Sequence, residues 1–120
     1  MSRVENVAYR FESALTIEAM LPRLNEQGPW KWTERDNDRW GDYLSVIPVG
    51  APPRVANVRI FVEPEHQKVF VVELELRLAS LDADADREFR TSTHDTLFNR
   101  LLPAVRAREL RVAEIDSGEA

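Results

Sequence analysis

The chain contains no cysteine, which excludes disulfides, thiolate metal sites and cysteine nucleophiles and removes any mark of an oxidising compartment. Glycine is nearly as scarce. The four present are isolated, so no glycine-rich loop is available to cradle a phosphate. No run approaches the roughly 18 apolar residues of a membrane helix, and the opening stretch from Met1 to Phe11 has no apolar core of an export signal. A basic surface is missing too. The net charge is −5, and the arginines are dispersed among carboxylates, which argues against a surface that tracks a phosphate backbone. These absences predict a soluble cytoplasmic protein with no membrane or nucleic-acid partner. The excess of arginine over lysine, with the alanine content, points to a GC-rich bacterial genome.

What is present is enough for one domain: 120 residues, 43% of them apolar, bury a core without staples. The most informative stretch runs from Arg54 to Leu81. Ala56, Val58, Ile60 and Val62 alternate with Val55, Asn57, Arg59 and Phe61, and Phe70, Val72, Leu74, Leu76 and Leu78 repeat the pattern. That is the period of two antiparallel strands. The polar segment Glu63-Pro64-Glu65-His66-Gln67 reads as a five-residue hairpin loop that sets Phe61 opposite Val69 and Ile60 beside Phe70.

Earlier in the chain, Val7, Tyr9 and Phe11 alternate with Ala8, Arg10 and Glu12 as a first strand within Val4 to Ala14. Thr16 is an N-cap for a helix to about Gln27, with Pro22 expected to bend it and Gly28 at its end. Trp30 to Arg35 and Arg39 to Leu44 form a hairpin. Charge favours a two-residue turn at Asp36-Asn37, with Arg35 against Asp38 and Lys31 against Asp42. Trp30, Trp32, Tyr43 and Ile47 then share one face, Trp40, Leu44 and Val46 the other.

Asp82, Asp84 and Asp86 open a second helix, whose buried stripe includes Phe89, Leu97, Phe98, Leu101, Leu102 and Val105. It should reach about Arg108, with Ser92 and Asp95 as an internal capping box and Pro103 kinking its last turn. Leu110 to Ile115 reads as an extended tail, and 116–120 as disordered beyond a single domain of residues 1–115. The fold class is therefore α+β, in the order β-α-β-β-β-β-α, with a five-stranded, mostly antiparallel sheet packed on a long C-terminal helix. By element order alone this resembles the helix-grip and TATA-binding-protein-like architectures, which imply no particular function.

Candidate chemistry is sparse. Asp36, Asp38 and Asp42 do not have calcium-loop spacing, because the later ligand positions fall on Trp40 and Ile47. Glu63, Glu65 and His66 at a loop tip, with no second histidine nearby, are a weak zinc signal, so neither a metal nor another cofactor is expected. His94 stands close to Ser92 and Asp95, but neighbours on a helix point in different directions, and capping with an exposed histidine accounts for all three. Trp30, Trp32, Trp40 and Tyr43, interleaved with Lys31, Arg35 and Arg39, read as core or protein interface before ligand stacking.

Two functional readings follow. The first, in which the protein is no enzyme, is a non-catalytic protein–protein interaction domain that self-associates through a sheet face. Its interface would hold Phe61, Val69 and Val71, extended by Trp40 and Leu44. The alternative is a small-molecule binder or enzyme with a pocket between the curved sheet and the C-terminal helix, and Trp40, Tyr43, Arg59 and Glu73 at its mouth.

Overall fold

The computed structural model describes residues 3–37, 41–50, 54–63, 66–79 and 81–119, with 37, 67 and 114–119 as backbone alone. Strand β1 (Arg3–Glu12) leads into α1 (Ile17–Gln27), followed by β2 (Thr33–Asn37), β3 (Gly41–Val46), β4 (Val55–Glu63) and β5 (His66–Leu78). Helix α2 (Ala83–Asp95) continues through a π-helical segment, Thr96–Leu101, into the short α3 (Leu102–Ala104), and β6 (Arg108–Glu119) closes the chain. The strands form one antiparallel sheet in the order β2-β3-β4-β5-β1-β6. Its class is the expected α+β, but with six strands among the described residues rather than five. The segment read as a tail pairs with β1, setting Val7 opposite Ile115 and Arg3 opposite Glu119.

All the helices pack on one face. Ile17, Met20 and Leu24 of α1, with Leu97, Leu101, Leu102 and Val105, bury Val58, Ile60, Phe70, Val72 and Leu74 beneath them. Phe11 and Phe70 stack at 5.5 Å within this layer. The period-2 argument thus selected the right buried set although its register was wrong. Ile60 pairs with Val72 instead of Phe70, and Phe61 with Val71 instead of Val69, because the ladder breaks between Val62, opposite Phe70, and Glu63, opposite His66, which leaves residues 67–69 as an insertion in β5. A slip by two residues leaves every side chain on its own face.

The β2–β3 hairpin departs further. Arg35 pairs with Tyr43 and Asn37 with Gly41, not Arg35 with Asp38, and residues 38–40 lie outside the described residues. This odd shift moves Trp32 to the face of Leu44 and Val46, where it is 3% exposed. Cross-strand charge pairs at an exposed edge contribute only about 0.2–1 kcal/mol each, whereas burying an indole removes 150–250 Å2 from water; burial wins. Asn25 of α1 locks the arrangement by accepting from the Trp32 amide at 2.7 Å and donating to its carbonyl at 3.3 Å.

Helix ends follow side-chain chemistry. Thr16 caps α1 by accepting from the Ala19 amide at 3.1 Å, and the helix is assigned without a break through Pro22. Its C-terminus is closed by Arg100, which donates to the Gln27 carbonyl at 2.9 Å. Asp82 caps α2 through the amides of Asp84 and Ala85. No new helix starts at Ser92: the ladder runs on, and Asp95 accepts instead from Asn99. It widens to π just ahead of Leu102-Pro103, where proline supplies no donor. The helix stops at Val105, short of Arg108. There Arg106 takes a φ of 58° and the amides of Arg106 and Ala107 return to Pro103 and Leu102, a Schellman closure made without glycine.

Glu5 of β1 fastens the sheet to α2 through a two-pronged bond from Arg90, at 2.8 and 2.9 Å, with Arg3 at 3.2 Å. The Arg90 hydrogen bond holds the Glu5 carboxyl below the usual carboxylate range against the opposing effect of burial. A depressed carboxyl stabilises above its unfolded pKa and loses that contribution as pH falls through the folded value. Glu5→Gln is therefore expected to cost about 1 kcal/mol at pH 7, since both groups remain partly solvated. The gap from wild type in urea melts should close as pH is taken below about 4.3.

Candidate functional site

Because the helices share one face, the opposite face is open among the described residues. Strand alternation sends to it Val4, Asn6, Ala8 and Arg10 of β1, Val69, Val71, Glu73, Glu75 and Arg77 of β5, and Val55, Asn57, Arg59 and Phe61 of β4. Tyr43 and Ser45 of β3 continue it. Rows run across the strands. One is Arg35, Tyr43, Phe61, Val71, Arg10 and Arg111; the next is Thr33, Ser45, Arg59, Glu73, Ala8 and Glu114.

The first row is apolar at its centre and basic at its ends. Phe61 is largely covered at 9% exposed, so the surface left for a partner is Tyr43, Val69 and Val71, each half-buried. Beside it lies a hollow of about 270 Å3 lined by Asn6, Ala8, Arg59, Glu73 and Glu75. One of its carboxylates is engaged within the face: Glu75 accepts from Asn57 and from Arg77, both at 3.2 Å. Arg10 pairs with Glu63 at 3.1 Å.

The two residue sets read from the sequence are thus redistributed. Phe61, Val69 and Val71 do share the outer face. Leu44 does not; it is fully buried on the helix side opposite Ile60, so it is no surface residue. Trp40 lies outside the described residues. Tyr43, Arg59 and Glu73, expected at the mouth of a sheet–helix pocket, stand on the outer face beside the interface set, because their parity matches Phe61 and not Ile60. Asp38 and Glu65 lie outside the described residues. His66 is exposed, while Glu63 is taken up by Arg10. His94 donates through Nδ1 to the Arg90 carbonyl at 2.9 Å and stacks on Phe98, half-buried rather than exposed. Trp30 and Trp32 are 6.3 Å apart, but Trp32 is core and Tyr43 lies on the other face, so no common platform of the three exists.

Three features escaped the sequence because they unite distant segments. Arg54 and Asp86 form a buried ion pair at 2.6 Å, joining the entry of β4 to the first turn of α2. A groove of about 750 Å3 runs between α2 and the β3–β4 connection, walled by Trp30, Ile47, Val49 and Phe89 and edged by Ser92 and Thr96. Phe89 seats against Gly50, where a Cβ would come within 2.5 Å of its ring. Glu18, Glu34 and Asp42 bring exposed carboxylates within 4.8 Å of one another at the far end of α1. No described helix is long and apolar enough to cross a membrane. Neither a protein-family model nor a curated protein matches this chain.

Proposed function

We propose that the protein is a non-catalytic interaction domain that self-associates through the open face of its sheet. The supporting observation is the segregation of every helix to one side, which leaves Tyr43, Val69 and Val71 facing outward beside the covered Phe61. Six strands about 4.8 Å apart, each offering several outward residues, give a face on the order of 800 Å2, close to the roughly 800 Å2 that one partner contributes to a standard interface. Mixed charge suits a second copy. Arg10, Arg59 and Arg77 alternate with Glu63, Glu73 and Glu75, so an isologous contact brings opposite signs together. Beneath the middle of the helices Val58, Ile60 and Val72 are fully buried, so the rival pocket between sheet and helix would use the groove of about 750 Å3 between α2 and the β3–β4 connection.

The double substitution Val69→Lys with Val71→Lys tests this reading. The expected result is a halved mass in light scattering, with an unchanged circular dichroism spectrum and a melting temperature only slightly lower. A wild type that stays monomeric at high concentration ends the proposal, as does a variant whose mass is unchanged.

A further inference from the structure

Helix α2 and the β3–β4 connection do not close on each other. The groove of about 750 Å3 between them falls in the size range of small-molecule pockets. Ala85, Glu88, Ser92 and Thr96 run along it on one side of the helix, a length of about 16 Å at 1.5 Å per residue. Its walls are apolar. Ile47 and Val49 line it at 55% and 71% exposed, with Trp30 and Phe89, so an apolar body lying there would take from water side chains that the fold itself leaves wet.

The polar groups of the groove lack partners. Lys31 makes no ion pair, and the hydroxyls of Ser92, Thr93 and Thr96 make no hydrogen bond, among the described residues. Thr93 is the buried one, at 3% exposed. Valine would fill the same volume with no polar atom to desolvate, so an unpaired hydroxyl there is a cost that a group entering the groove would offset. That oxygen is not among the described side-chain atoms sealed without a partner, which are Arg3 Nε and Trp32 Nε1, so it opens to the groove it lines.

The groove also has a polarity. Arg100, bonded to the Gln27 carbonyl, brings the segment that leads to Trp30 and Lys31 to the far end of α2, beside Thr96. Phe89 seated on Gly50 marks the opposite end, with the exposed Glu88 one residue away. We propose that the groove binds an elongated apolar carboxylic acid of the medium-chain fatty-acid class, with its carboxylate at Lys31 and the three hydroxyls and its chain along Ile47, Val49 and Phe89. An ammonium and three hydroxyl donors match a group that only accepts, and Glu88 repels it from the other end. A peptide strand is served less well. Pro48 has no amide hydrogen to offer, and the amides of Gly50 and Ala56 already donate to the Arg54 and Pro48 carbonyls. The groove lies on the helix side of the sheet, so this site does not depend on self-association through the opposite face.

Decanoate, whose extended chain fits within the groove, is the probe, titrated into isotope-labelled protein and followed by amide chemical shifts. Saturating shifts are expected at Lys31, Val49, Gly50, Ser92 and Thr93. Decyltrimethylammonium, with the same chain and the opposite charge, should bind at least about fivefold more weakly. Thr93→Val should weaken decanoate about fivefold without lowering the melting temperature. Lys31→Glu should weaken it by at least as much, and at an exposed position it reads the same contact without touching the core. The variant Val69→Lys with Val71→Lys, altered on the other face, should bind as the wild type does. The proposal is overturned if decanoate gives no saturable shifts at these positions, if the shifts fall on the open face instead, if the cation binds as tightly, or if either groove substitution leaves the affinity unchanged.

Discussion

Replacing Asp86 with alanine is expected to lower folding stability by about 3–5 kcal/mol, the cost of leaving a buried charge without its partner. Arg54 and Asp86 are 6% and 4% exposed, so water does not take over from the lost carboxylate. The same Oδ1 that receives Arg54 Nε at 2.6 Å also accepts from the Ala79 amide at 3.3 Å, and Arg54 Nη2 reaches the Asp82 carbonyl at 3.4 Å. One side chain thus ties the exit of β5, the start of α2 and the entry to β4. A domain with about 5–15 kcal/mol in total loses a large share of its stability with it. Urea melts provide the measurement. Arg54→Met combined with Asp86→Leu should recover most of the loss, because no charge is then stranded. A deficit under about 1 kcal/mol for Asp86→Ala would mean that the pair is solvated in solution.

Val72→Lys is expected to prevent stable folding, whereas Val71→Lys, one residue away, should cost less than about 1 kcal/mol. Val72 is fully buried between Ile60 and Tyr9 on the helix side, and a lysine there has no path to water. Val71 faces outward between Phe61 and Arg10 and is half-buried. Circular dichroism and thermal melts of the two variants read the difference directly. The reverse order would place the core on the other face of the sheet.

The buried set of β4 and β5 was legible in the residues because a strand's period of two assigns faces whatever the register. Ile60 and Val72 are core for either turn length. The Thr16 cap and the end of α1 near Gly28 were legible for a similar reason, since they depend on groups within one turn of each other. The β2–β3 hairpin was not. Its charges favoured a register that weak surface pairs could not enforce once α1 offered Trp32 a buried seat and Asn25 two hydrogen bonds to hold it. Neither was the end of α2, where Arg106 occupies the left-handed position that glycine usually marks.

Local pattern therefore determined the fold class, the single domain and the residues of the central strands that face the core. Tertiary structure alone decided which side of the sheet carries the helices, and with it that Tyr43, Arg59 and Glu73 join Phe61, Val69 and Val71 on one open face while Leu44 is buried. It also turned an apparent tail into β6 and brought Arg54 to Asp86 and Glu5 to Arg90. The physical reason is range. Alternation and capping act between residues a few positions apart, whereas strand order, the covering of a face and ion pairs between distant segments depend on which large surfaces leave water together.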